Sequence, residues 1–206
     1  MPALFLLKSG SIERDECGRI LDARSSVTMI IGGMHKIVVD SGQQGEEEPI
    51  LKALAELGTK PEDVDCIVNT HSHSDHCGNN HLFSCAKILA AKEGDVIVPG
   101  VWVLATPGHS MDSISVVVET KVVVVISGDA LPTLGNLQKM VPPALHVDRD
   151  LAMASMQRIV ALADFVVPGH DFPFSIRKKA YVPLPFRIES GEWSAGCTLP
   201  DYILTK

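Results

Sequence analysis

Three imidazoles and one carboxylate fall within six residues in the run Thr70-His71-Ser72-His73-Ser74-Asp75-His76, directly after the apolar segment Cys66-Ile67-Val68-Asn69. Side chains alternate between faces along an extended backbone, so His71 and His73 leave the strand end on one side. Two neutral imidazoles converging in this way can hold one metal ion. Asp75 and His76 follow as the chain turns, and point where a second ion could sit. The chain has only eight histidines, so three in one short loop, with an aspartate between them, weigh against an idle solvated patch.

Three further segments have the same form. Val101 to Thr106 runs into Pro107-Gly108-His109-Ser110, Val122 to Ile126 into Ser127-Gly128-Asp129-Ala130, and Phe165 to Val167 into Pro168-Gly169-His170-Asp171. Each reads as a buried strand, then glycine, then a residue type that binds metal. Four strand ends would bring His71, His73, Asp75, His76, His109, Asp129 and His170 to one place. That set supplies enough nitrogen and oxygen for two divalent ions sharing a carboxylate, about 3.5 Å apart as in other two-metal sites.

The elements that must position these residues fall into two similar halves. The first predicts strands over Ala3 to Lys8, Ser26 to Gly32, Lys36 to Val39 and Asp65 to Asn69, with a helix from Glu46 to Leu57. That helix rests on Ile50, Leu51, Leu54 and Leu57 at helical spacing, an acidic first turn and a stop at Gly58. The second half, from Ala86, predicts strands near Val96, Val103, Val116 and Val124. A helix follows from about Asp150 to Ala161, with Asp150 as N-cap and Met153, Met156, Ile159 and Val160 as its apolar face. Two sheets with helices outside suit this pattern. Residues 1–206 read as one domain ending in an irregular tail, 173–206, where Pro183, Pro185 and Pro200 break any long element.

With these motifs in view the chain resembles the metallo-β-lactamase superfamily over roughly Met1 to Asp171. Val39-Asp40-Ser41-Gly42, the His-x-His-x-Asp-His run, Pro107-Gly108-His109, Gly128-Asp129 and Pro168-Gly169-His170 occur in the family's order. The resemblance implies an α+β fold, an αββα sandwich of two mixed sheets face to face with helices on the outer faces. It implies a first metal on His71, His73 and His109, a second on Asp75, His76 and His170, a bridging Asp129, and Asp40 bracing the His-rich loop. Asp129 stands where penicillin-hydrolysing members carry a cysteine ligand, so the set is similar to that of glyoxalase II-like hydrolases. Among subgroups the chain is most similar to the small one related to metallo-β-lactamase domain-containing protein 1. The stretch between His76 and His109 is short, so the lid of large-substrate members is trimmed.

The chemistry expected of such a site is hydrolysis. A metal-held water loses its proton near neutral pH, and the metal-bound hydroxide attacks an ester, thioester, lactam or phosphodiester centre. Asp75 is the expected catalytic residue, orienting the nucleophile and carrying a proton. Zinc is the expected metal, with iron and manganese as alternatives. Two other functions fit the same residues. One is a mononuclear-iron, persulfide dioxygenase-type redox enzyme using His71, His109 and Asp129; the other is a non-catalytic metal-binding interaction protein. Arg177-Lys178-Lys179, shortly after His170, is the compact basic cluster that could meet an anionic substrate.

At 206 residues and a formal charge of −7, the chain suits a small-molecule substrate and does not support RNA as partner, which relies on cationic faces. Met1 to Gly10 reads as a first strand and no stretch as a membrane span. Cys17, Cys66, Cys77, Cys85 and Cys197 are odd in number without a Cys-x-x-Cys pair, which predicts free, mostly buried thiols and a cytoplasmic setting. Cys77, directly after His76, and His146 are the off-motif residues closest to the chemistry. Tyr181, Phe186, Trp193 and Tyr202 concentrate aromatic surface in the tail, expected to pack on the domain, to contact a homodimer partner or to wall the substrate entrance.

Overall fold

The computed structural model describes residues 1–188. Its first half contains β1 (Ala3–Lys8), β2 (Ser11–Arg14), β3 (Ile20–Arg24), β4 (Val27–Gly32), β5 (His35–Val39), α1 (Glu47–Glu56), β6 (Cys66–Val68), α2 (Ser74–Cys77) and β7 (Lys87–Ile88). The second contains β8 (Val96–Val98), β9 (Val101–Ala105), β10 (Ile114–Glu119), β11 (Val123–Gly128), α3 (Leu134–Lys139), α4 (Arg149–Leu162) and β12 (Phe165–Pro168). After these come β13 (Phe174–Ser175), β14 (Ala180–Tyr181) and β15 (Arg187–Ile188).

One sheet has the order β15-β1-β4-β5-β6-β7 and the other β14-β13-β12-β11-β10-β9-β8, while β2 and β3 form a separate hairpin. Both large sheets are mixed. β5 pairs with β6 and β11 with β12 in parallel, whereas β4–β5 and β10–β11 are antiparallel.

Period-two alternation divides the strand side chains among three apolar layers. Ile37 and Val39 of β5, Val116 and Val118 of β10, and Val124 and Ile126 of β11 meet in the core between the sheets. Their neighbours Val117 and Val125 face outward and pack with Leu134, Leu137, Met156 and Ile159 of α3 and α4. On the other outer face Val27, Met29, Val38 and Ile67 pack with Ile50 and Leu54 of α1. Helix, sheet, sheet, helix is the resulting stack, the αββα sandwich the sequence led us to expect.

Several local expectations change. The N-cap of α4 is Asp148, not Asp150: its carboxylate accepts hydrogen bonds from the backbone N–H of Asp150 and Leu151. Asp150 lies one residue inside the helix, where it serves the dipole instead. Residues 174–188, expected as irregular, add three short strands, and Phe186 is buried in the inter-sheet core. Tyr181 stays half exposed (52%). Cys17 and Cys85 are exposed, and Cys66 and Cys77 half-buried; all four are free thiols, so the expectation of mostly buried thiols fails. Trp193, Cys197, Pro200 and Tyr202 lie outside the described residues. No helix among the described residues is long and apolar enough to cross a membrane.

Candidate metal centre

The candidate ligands sit at the C-terminal ends of β6, β9, β11 and β12, where loops from both sheets converge. Three groups have donor atoms within 4.8 Å of one another: His71, His73 and His109; Asp75, His76 and His170; and His71, His76 and Asp129. In the first group, His73 Nδ1 lies 3.0 Å from both His71 Nε2 and His109 Nε2. In the second, His170 Nε2 lies 3.4 Å from Asp75 Oδ2, and His76 Nε2 3.8 Å from it. Asp129 stands between the two. Its Oδ2 is 3.3 Å from His109 Nε2, while Oδ1 is 3.4 Å from His76 Nε2 and 3.1 Å from His170 Nε2.

Tautomers decide whether such a cluster can bind metal. His76 Nδ1 lies 2.7 Å from Asp40 Oδ2, His109 Nδ1 2.8 Å from the carbonyl of Leu145, and His170 Nδ1 3.0 Å from the carbonyl of Arg24. All three partners accept only, so Nδ1 carries a proton, and in the neutral ring Nε2 turns a bare lone pair inward. His71 Nδ1 meets Thr70 Oγ1 at 3.2 Å, with the Thr70 hydroxyl donating to Asp40 Oδ2 at 2.8 Å. Its Nε2 is likewise bare. One proton on His73 Nδ1 could satisfy only one of the two lone pairs facing it. His76 Nε2 and Asp129 Oδ1 are buried without any hydrogen-bond partner, although buried polar atoms normally have one. A set of inward lone pairs and orphaned donors fits divalent cations.

The electrostatics follow from burial and charge. Burial pushes the His71 imidazole down to about 2, with the charge of His76 adding to the effect. For Asp129 burial works upward, yet the neighbouring His170 and His76 imidazoles outweigh it and hold the carboxyl well below its ordinary range. Burial likewise opposes charge on His76 and His170, but Asp40 and Asp129 raise the first and Asp129 the second above the usual imidazole value. Without metal, protons hold this site together; metal ions compete for the same nitrogens.

Close backbone approach brings Asp129 and His170 together. A Cβ on Gly169 would run into Asp129 Oδ1, so a larger residue there must displace the carboxylate. Sequence reading missed Thr70, whose hydroxyl touches Asp40, His71 and His76. Its place immediately before the first histidine was the available signal.

The remaining candidates divide differently. Asp40 is buried at the end of β5 and binds the Thr70 backbone N–H (2.7 Å) as well as the Thr70 hydroxyl and His76. Arg177, Lys178 and Lys179 are exposed at the β13–β14 turn and line neither cavity beside the cluster. His146 is exposed and hydrogen-bonds the carbonyl of Pro143. The Cys77 thiol, pushed up by burial, donates to the carbonyl of His73 and belongs to none of the three ligand groups.

His73, Asp75, His109, Asp129 and His170 open onto a cavity of about 310 Å³. Its apolar walls come from Ile12, Ile20 and Ala23 of the β2–β3 hairpin and from Pro143, Ala144 and Leu145 opposite. The hairpin was not anticipated from sequence.

An αββα fold with a histidine and aspartate cluster at its sheet ends defines a metal-dependent hydrolase fold. The sequence profile of the Metallo-beta-lactamase superfamily matches residues 21–91. A Methanocaldococcus jannaschii protein named probable metallo-hydrolase is 37% identical over 146 residues, covering 66% of this chain and 70% of its own. Metallo-beta-lactamase domain-containing protein 1 of Rattus norvegicus is 37% identical over 164 residues, covering 70% of this chain; the chain spans 64% of that relative. A crystal structure of a Bacillus thuringiensis AiiA variant with N-decanoyl-L-homoserine bound at its active site superposes with a TM-score of 0.68 at 24% identity, over 90% of this chain and 98% of that one. The chain belongs to the metallo-β-lactamase superfamily.

Proposed function

We propose that residues 1–206 form one hydrolase domain that binds two divalent ions, zinc first among them, and cleaves an ester, thioester, lactam or phosphodiester bond of a small molecule. The observation that carries this reading is the double set of inward donors. His71, His73 and His109 form one group, Asp75, His76 and His170 another, and the Asp129 carboxylate lies within 3.4 Å of Nε2 of His109, His76 and His170, in reach of both groups. A single iron on His71, His109 and Asp129 would leave Asp75, His76 and His170 converging on nothing, which favours two ions over one.

When bound, the metals supply positive charge that lowers the pKa of a water and stabilises the oxyanion formed in the reaction. The chain's residues do the rest. Asp75, half-exposed on the cavity side, takes the proton from the attacking water as the new bond to carbon or phosphorus forms. As the bond to the leaving group breaks, Asp75 returns that proton to the departing oxygen, sulfur or nitrogen. Asp40 and Thr70 hold the His76 tautomer, and the carbonyls of Leu145 and Arg24 hold those of His109 and His170. Ile12, Ile20, Ala23 and Leu145 give the scissile group an apolar flank.

The test is a panel of thioester, lactone, β-lactam and bis-p-nitrophenyl phosphate substrates, run with zinc-loaded and chelator-treated protein. We expect turnover of at least one class, abolished by chelation and restored by zinc. Chelator-resistant turnover, or none across the panel with both sites filled, would contradict the proposal.

A further inference from the structure

The cavity beside the cluster mixes apolar walls (Ile12, Ile20, Ala23, Pro143, Ala144, Leu145) with neutral polar groups (Gln43, Ser74, Thr133, Asn136). Apart from the candidate ligands, Arg14 is the single charged residue lining it among the described residues. Arg14 ends β2, so the hairpin that supplies the apolar wall also carries this cation. It stands where the first cavity meets a second, of about 700 Å³, on the far side of His170; Arg14, Ile12, Thr133 and His170 line both.

The other arginines of this hairpin are paired. Arg19 Nε lies 2.7 Å from Asp15 Oδ2, and Arg24 Nε 2.6 Å from Asp22 Oδ2, with Glu46 3.6 Å from its Nη1. Lys8, which lines the second cavity, is held by Glu46 at 3.0 Å. Arg14 has no carboxylate partner among the described residues; its hydrogen bond runs from Nη1 to the carbonyl of Gly18 at 2.9 Å. That bond holds the guanidinium on the hairpin while leaving donors for a ligand, in a planar fork that matches an oxyanion. In a chain of formal charge −7, a cation without a carboxylate partner at the rim of a partly apolar cavity is a position where selectivity can reside.

We propose that Arg14 is a specificity-determining residue: the substrate carries an oxyanion group, carboxylate or phosphate, joined to the scissile group by an apolar segment lying along Ile12 and Ile20. This rests on the hydrolase reading and names the substrate class within it. The assignment transfers to Arg14 the role expected of Arg177, Lys178 and Lys179.

The experiment uses the zinc-loaded 206-residue chain and three 4-nitrophenyl esters of equal chain length, ending in methyl, carboxylate or phosphonate. The readout is the ratio of kcat/KM for each anionic ester to that for the neutral one. Wild type should favour an anionic ester, and the preferred anion tells carboxylate from phosphate. Arg14→Gln should lower the ratio about tenfold, mainly through KM, as expected for loss of a charge-assisted hydrogen bond. Arg14→Lys should fall between, and Arg19→Gln, on the same hairpin but paired with Asp15, should leave the ratio unmoved. A ratio unchanged in Arg14→Gln, or lowered equally in Arg19→Gln, overturns the proposal. Calorimetric binding of suberic acid monohydroxamate, set against octanohydroxamate, keeps the test independent of turnover. The hydroxamate anchors on the metal ions in both proteins and leaves the distal carboxylate for Arg14, so weakening of the carboxylate-bearing ligand alone by about tenfold in Arg14→Gln reports the guanidinium. Equal affinity would overturn the proposal even if no ester is cleaved, while absent cleavage with weakened binding would count against the bond class alone.

Discussion

Asp40→Asn changes one atom of a buried hydrogen-bond hub and should switch a tautomer. Asp40 accepts three hydrogen bonds: from the Thr70 backbone at 2.7 Å, the Thr70 hydroxyl at 2.8 Å and His76 Nδ1 at 2.7 Å. Its backbone has φ 56°, a left-handed conformation that asparagine adopts as readily as aspartate. The fold around it is therefore retained. The side-chain oxygen of the substituted amide can still accept from the Thr70 backbone, but its N–H₂ now faces His76 Nδ1. Donor meets donor unless His76 moves its proton to Nε2, the atom that would bind metal. Loss of such a supporting partner weakens metal binding about 10–100-fold, or about 1.4–2.7 kcal/mol. Chelator competition at fixed pH measures the affinity, and melting of the stripped protein controls for folding. Zinc affinity of the variant within twofold of wild type would refute the tautomer argument.

Asp75→Asn should leave measurable metal while lowering kcat by about 10²–10⁴-fold; near-normal turnover in fully loaded variant would remove Asp75 from proton handling. Gly169→Ala pushes a methyl into Asp129 Oδ1 and should cost about 1–3 kcal/mol of stability together with metal affinity, read by melting and chelator competition. An unchanged melting temperature would show that the Asp129 contact can yield. The stripped protein should melt highest near pH 6.5. Below the ordinary imidazole value of 6.5, protons favour the unfolded chain because His71 is held down to about 2. Above it, the stabilisation from His76 and His170, complete below 6.5, is lost as pH rises through their raised values. Saturating metal should move the maximum upward, since the ions displace those protons; a stripped protein whose melting rises steadily to pH 9 would contradict this balance.

Much of this site was legible because its signals are local. Val122 to Ile126 is too apolar to be anything but a buried strand, and Gly128 and Asp129 follow at once. The histidine loop needs no tertiary knowledge to be read as a metal site. The β2–β3 hairpin escaped notice because its strands stand clear of both sheets: Ser11, Glu13 and Arg14 are exposed, so no buried face imposes a visible alternation. Helix α3 is six residues long and contains Gly135, too short for a 3.6-residue period to stand out. Arg177 to Lys179 were adjacent to His170 in sequence only. The β13–β14 turn carries them off, while Arg14, far away along the chain, closes on the cavity. Proximity along the chain predicts contact within a strand end or a helix turn, and not across a hairpin.

Native mass spectrometry after dialysis against excess zinc counts the ions that each chain holds. Wild type should retain two ions per chain, and His170→Ala, which strips the second group of one donor while leaving His71, His73 and His109 intact, should retain one. Saturation of wild type at a single ion, or two ions still bound in His170→Ala, would contradict a two-metal site with His170 as a ligand.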